Sequence, residues 1–397
     1  SFHNPSTVDI QTGTVNFAGG LTGTGSYSGA GAVQVSGNVN VTATGTMNLT
    51  GASMNSGSVL TMTAGSTLRL TNSISHDFPG VTLNNAGTVI WKGGNLRGSS
   101  GTAVNNSGLW IVEDDSDVNN QYGGAWGITN SGTFRKTIGT VTTTISGVMF
   151  HNTGTVEPQT GTISFDGGLS GSGAFDGDGF VQLGGNINAS MSGTMNWSGG
   201  GVTSGSSTFT VATNGTLNIV TGSHDIPGAA IINNGTVVWT AGLIRGGTGT
   251  TIQNSGLWIV ESDTDFNTAY SGSATFTNTG TFRKQVTTGT TDFQSGFSFN
   301  STGTVDVQSG TVNFASGLSG IGSYSGGGNI QMGGLVQATM NGTMNWSGGV
   351  MSIGSFFNVT SNSTLNVLGS SHDMPGTTLN NSMRACASAT SLRRSRA

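Results

Sequence analysis

Apolar and polar residues alternate along this chain in short runs, each closed by a turn of Asn, Gly, Ser and Thr. The unit recurs about every 21 residues, with stretch 152–173 as a typical example. Run starts fall at Thr7, Ser26, Thr46, Thr67, Thr88, Leu109, Thr133, Thr155, Ala174 and onward to Thr364, in steps of 19 to 24 residues. The residue after each start is apolar or aromatic: Val8, Tyr27, Met47, Leu68, Val89, Trp110, Phe134, Val156, Phe175 and so on to Leu365. The next position is mostly polar, as in Asp9, Arg69, Arg135, Glu157, Asp176 and Arg283, with apolar breaks at Ile90/Ile111 and Val238/Ile259. Alternate residues of a strand face opposite ways, so the first column predicts a buried stack and the second an outward one.

A fixed period of this size in strand-type residues predicts a solenoid, and no segment carries a helical period. Three short strands and three turns fill one coil. Stacked in parallel at ~4.8 Å, about 18 coils would form an all-β, right-handed parallel β-helix on the order of 85 Å long. The Asn-x-Gly and Asn-Gly pieces, such as Asn106-Ser107-Gly108 and Asn234-Gly235, are expected to turn because Asn and Gly tolerate positive φ.

A longer repeat overlies the short one. Ser75-His76-Asp77-Phe78-Pro79-Gly80 returns as Ser223-His224-Asp225-Ile226-Pro227-Gly228 and as Ser371-His372-Asp373-Met374-Pro375-Gly376, at steps of 148 residues. Leu109-Trp110-Ile111-Val112-Glu113 matches Leu257 to Glu261, and Gly132-Thr133-Phe134-Arg135-Lys136 matches Gly280 to Lys284. Residues 1–381 are therefore expected to be one continuous solenoid of super-repeats 1–148, 149–297 and 298–381. Residues 382–397 lose the strand pattern and form a basic tail. With both ends falling inside repeats, the chain is expected to be a fragment.

Composition narrows the function classes. The net charge is −5, and the last 14 residues hold four of the nine Arg, leaving about −9 on the rest. That balance lacks the basic stripe of a nucleic-acid binder. No run of ~20 apolar residues could span a membrane. The single cysteine, Cys386, lies in the tail, so neither disulfides nor thiolate metal sites are expected in the body.

With its Gly/Asn/Ser/Thr-rich coils and Asn-x-Gly-Thr-apolar turns, stretch 1–381 resembles the parallel β-helix proteins of bacterial surfaces and secretions: adhesins, autotransporter passengers and polysaccharide-active enzymes. The resemblance implies export, an extracellular or cell-surface location, and a carbohydrate or cell-surface polymer as partner. No catalytic motif of such a family is present to carry over.

Three motifs bear on chemistry. Neighbouring residues of Ser-His-Asp on one strand point opposite ways and cannot form a relay among themselves, so the string is expected to be a turn held by the Ser or Asp side chain. The acidic segments Glu113 to Asn119 and Glu261 to Asn267 lie in the two longest units and are expected to loop out. Their Asp-x-Asp-x-Asn pattern makes Asp115, Asp117, Asp263 and Asp265 candidate Ca²⁺ ligands, and calcium is the one cofactor considered; a solvated loop is the alternative. The middle repeat carries Asp166, Asp176 and Asp178 where the first has Ala18, Ser28 and Ala30. Glu157 and Asp176 are expected on adjacent coils at ~5 Å, a spacing that suits a retaining glycosidase. Asp166 or Asp178 would assist, and Arg135 would hold the nucleophile ionised and contact substrate. The recurring tryptophans are expected in the core. Two functions follow: a surface, adhesive or carbohydrate-binding repeat protein, and a glycoside hydrolase with its carboxylate pair in the middle repeat.

Overall fold

The computed structural model describes residues 1–202, 205–369 and 371–382, without the side chains of residues 72–74. Most of the basic tail, with Cys386, lies outside the described residues. All regular structure among the described residues is β-strand. Parallel strands stack as a β-solenoid of about 18 turns, ~21 residues apart. Packing divides the chain into two units, Ser1–Asn196 and Trp197–Ala397.

In the first unit each coil supplies strands to three parallel ladders. Trp126–Asn130 pairs with Val148–Asn152, Thr133–Lys136 with Thr155–Pro158, and Thr142–Ser146 with Thr162–Phe165. The second unit repeats the scheme, as in Ala274–Asn278 on Phe297–Ser301 and Thr281–Lys284 on Thr304–Val307. The register follows the short repeat: Val89 lies beside Leu68 and Trp110, and Trp110 beside Phe134.

The inward column is buried as the alternation requires. Every member except Val8 and Leu365, in the outermost coils described, is buried. Burial of such side chains contributes ~1.5–3 kcal/mol each and supplies the drive for stacking. Trp91, Trp110, Trp197, Trp239, Trp258 and Trp346 all lie in the core. Four of them also close a corner: the indole N–H of Trp91 donates to the Gly94 carbonyl at 2.8 Å, and Trp197, Trp239 and Trp346 do the same to Gly199, Gly242 and Gly348. The outward column is half-buried or exposed, with Asp306 the exception at 8%.

The Asn-x-Gly turns work differently from the expectation. The only described non-glycine residues with positive φ are Ser271 and Val286, and Gly87, Gly108, Gly132 and Gly154 do not have it either. Glycine is required here by close approach. A Cβ on Gly132 would lie 2.0 Å from the Gly108 carbonyl oxygen, and one on Gly154 would lie 2.0 Å from that of Gly132. The Asn side chains turn inward and join into ladders. Asn85, Asn106 and Asn130 each donate from Nδ2 to the Oδ1 of Asn106, Asn130 and Asn152 at 2.7–2.8 Å. In the second unit Asn233 donates to Asn254 and Asn254 to Asn278, both at 2.7 Å. All are buried, so each amide replaces lost water by a neighbour one coil away.

Candidate functional site

The Ser-His-Asp strings lie in strands, and the turn falls two residues later. Val81 N–H donates to the Phe78 carbonyl at 3.1 Å around Pro79-Gly80, with Gly80 at φ 68°, a type II turn. His76 and His224 point inward, fully buried, and Asp77 and Asp225 point outward. His224 sits edge-on to Trp197 at 4.4 Å, with its Nε2 3.0 Å from the Trp197 carbonyl oxygen. Burial pushes the imidazoles of both His76 and His224 below their ordinary pKa. The opposite facing of His and Asp excludes a relay within the string, as alternation requires.

The acidic segments do not loop out. The offset between paired residues is 21 at Trp91/Val112, 22 at Leu96/Val118 and 24 at Ala103/Gly127. Only one extra residue therefore falls in the acidic turn, and two fall after Asn119. The same steps occur at Trp239/Val260, Ile244/Phe266 and Thr250/Ala274.

These turns fold over a buried cation that sequence reasoning missed. Lys136 and Lys284 occupy inward positions and have no exposed side-chain surface. Lys136 Nζ donates to Asp115 Oδ1 at 2.8 Å, to the Asp114 carbonyl and to Thr143 Oγ1. Lys284 Nζ donates to Asp263 Oδ1 at 2.8 Å, the Ser262 carbonyl, Thr287 and Thr291. Three oxygens surround the Lys136 ammonium, and four share the three N–H donors of Lys284, which satisfies each buried charge. The repeated Arg-Lys dipeptide after Phe134 and Phe282 carried this signal, because the alternation turns its Lys inward.

The remaining acidic ligand candidates bind backbone. Asp117 accepts from the Thr144 amide at 2.7 Å, and Asp265 from the Asp292 amide at 3.0 Å and from Gln294 Nε2 at 2.9 Å. Burial raises the pKa of Asp265. At Asp263 burial opposes the charge, but hydrogen bonds from Lys284 and Thr287 outweigh it and hold the carboxyl below its ordinary value. Among the described residues no group of three His, Cys, Asp or Glu side chains is placed to hold a metal ion.

The middle-repeat carboxylates separate into two places. Glu157 is the register partner of Arg135, and the Arg135 Nε donates to Glu157 Oε2. Asp176 follows the strand paired with Val156, and its amide donates to the Val156 carbonyl at 3.0 Å, so Glu157 and Asp176 stand on adjacent coils. Asp178 lies two residues on in the same turn, exposed like Asp176. Asp166 ends the Thr162–Phe165 strand, which belongs to another ladder, and its carboxylate accepts from Ser164.

The repeats keep the ion pair but differ at the position beside it. Arg283 pairs with Asp306 at 2.8 Å as Arg135 does with Glu157. Ser28 donates to Asp9 at 2.7 Å and Ser325 to Asp306 at 2.9 Å. Asp176 takes the place of those serines, so a hydroxyl donor becomes a second carboxylate. An open hollow of about 340 Å³ lies elsewhere, lined by Ser75, Lys92, Gly93, Gly94, Asn95, Asp114 and Ser116.

Searched against protein-family models, curated proteins and solved structures, the chain matches none. The class that fold and site define is a parallel β-solenoid repeat protein.

Proposed function

We propose that this solenoid is an exported, surface-located repeat protein whose outer face binds carbohydrate or a cell-surface polymer. The observation that carries the reading is repetition on the surface as well as in the core. Stacking requires the inward column to recur, but it does not require Asp77–Arg97 to return as Asp225–Arg245, or Arg135–Glu157 as Arg283–Asp306. These pairs are partly buried, with the carboxylates 12–19% exposed, so they add to stability where they stand, but stacking alone does not fix them at the same register positions in each repeat. A face of recurring polar groups suits a repetitive polymer. The test is retention of the purified protein on a panel of insoluble polysaccharides and on intact cells. Passage through all of them would remove this reading.

A second reading, a glycoside hydrolase, rests on the Ser-to-Asp replacement at Asp176 beside Glu157. One carboxyl would protonate the glycosidic oxygen while the other attacks or stabilises the anomeric carbon. Arg135 would hold Glu157 in position, and Asp178 lies near enough in sequence to assist. Release of chromophore from a panel of aryl glycosides tests it, and no release from any of them would dismiss it.

A further inference from the structure

The chain has four tyrosines. Tyr27 and Tyr324 are buried at 2% exposure, while Tyr122 and Tyr270 are 47% and 45% exposed. The two exposed rings occupy the same place in successive super-repeats. Tyr122 follows the strand in which Arg97 pairs with Asn119, and its amide donates to the Gly98 carbonyl at 3.1 Å. Tyr270 is the register partner of Gly247, and a Cβ on that glycine would lie 2.8 Å from the Tyr270 Cβ. Each ring is thereby set against the outer face by backbone geometry.

Beside each ring stands the same ion pair, and the tyrosine hydroxyl hydrogen-bonds the carboxylate of that pair, Tyr122 to Asp77 and Tyr270 to Asp225. Arg97 Nε and Nη2 donate to the two oxygens of Asp77 at 2.6 and 2.8 Å, and Arg97 Cζ lies 5.7 Å from the Tyr122 ring centre. Arg245 Nε and Nη2 donate to Asp225 at 2.5 and 2.7 Å. Side-on pairing of this kind uses one edge of the guanidinium and leaves Nη1 with two N–H donors; the carboxylate retains acceptor capacity. Ring, donor and acceptor are therefore gathered at one spot, and the ion pair is internally neutral.

The hydroxyl's bond to the carboxylate fixes the ring in place but does not use its face, which stands half-exposed at the same register position in both super-repeats. A half-exposed aromatic face beside fixed donors and acceptors matches a pyranose, which has an apolar C–H face and a rim of hydroxyls. Pair neutrality, together with the chain's net charge of −5, disfavours a polyanion. We propose that Asp77–Arg97–Tyr122 and Asp225–Arg245–Tyr270 are two copies of a binding platform for a neutral polysaccharide. This deepens the carbohydrate-binding reading above and rests on it.

The test is retention on cellulose, chitin, xylan and a β-1,3-glucan, with alginate as the anionic comparison. The proteins are the unaltered chain, Tyr122→Ala, Tyr270→Ala, the double Ala variant and the double Phe variant. Loss of a central aromatic anchor weakens binding by on the order of tenfold or more. The expected result is binding to at least one neutral polymer, partial loss in each single Ala variant, loss in the double, and retention in the double Phe variant. Unfolding midpoints should stay unchanged. If the double Ala variant binds as the unaltered chain does, the platform is wrong and the carbohydrate reading survives. If the unaltered chain binds none of these polymers, the platform falls, while the broader reading is decided by the wider panel and intact cells. Binding to alginate alone would overturn the neutral class.

Discussion

Asn106 Nδ2 donates to Asn130 Oδ1 at 2.7 Å across 24 residues of sequence, with both side chains buried. Asn130 passes the same contact to Asn152 at 2.8 Å. The bond exists only when coils are stacked in register, so it reports on the fold as a whole.

Asn130→Ala should lower stability by about 1–3 kcal/mol, because the buried amide oxygen of Asn152 loses its Asn130 donor. Asn105→Ala, on the exposed side of the neighbouring strand Ala103–Asn106, should stay within ~0.5 kcal/mol. Urea unfolding midpoints check the pair, and equal effects would remove the special role of the ladder.

Gly132→Ala places a methyl 2.0 Å from the Gly108 carbonyl oxygen. The ladders on both sides must move, and overpacking of this kind costs about 1–3 kcal/mol. A midpoint equal to that of Ser131→Ala would show that the coils give way freely.

Stability should fall as pH drops below about 6.5. His76 and His224 are held neutral by burial, with folded pKa values below the ~6.5 of an unfolded histidine. Below that value the unfolded chain binds more protons, so the contribution is present above it and lost as pH falls through the folded pKa. The carboxyls held low at Asp225, Asp263 and Asp306 act in the same sense, but only further down, below the ordinary carboxylate value. The expected outcome is a pH-dependent thermal midpoint that flattens in His76→Gln/His224→Gln. An unchanged slope in that variant would assign the effect elsewhere.

Calcium at Asp115/Asp117 and Asp263/Asp265 is checked by calorimetry. Heat on millimolar Ca²⁺ addition that Asp117→Asn/Asp265→Asn abolishes supports the proposed site, and no heat removes it. Lys136→Met should destabilise the protein in either case, because the Asp114 carbonyl and Thr143 lose the buried ammonium that joins them.

For the hydrolase reading, Glu157→Gln and Asp176→Asn should each lower glycoside turnover by ~10²–10⁴-fold, the usual range for general acid–base catalysis. Asp176→Asn should leave stability within ~0.5 kcal/mol, since Asp176 is exposed. Glycosidase activity that survives in both variants would move the site elsewhere.

The alternation of apolar and polar residues by itself determined the solenoid, its period and which side of each strand is buried. Val89, Trp110 and Phe134 needed only the geometry of a strand and a constant repeat to be assigned inward. The facing of His76 and Asp77 followed from the same rule. What fills the outward positions was legible only as residue types. Whether Arg135 meets Glu157 or Arg97 meets Asp77 depends on which residues the coil register sets side by side, and that register shifts wherever a turn gains a residue. Tertiary structure alone decided that Lys136 lies under the acidic turn, that the Asn side chains join inside the coil, and that Asp166 belongs to a different ladder from Asp176. Each of these contacts joins residues close in space but separated by a coil or a corner, and the period of the sequence records the repeat without recording where the corners fall.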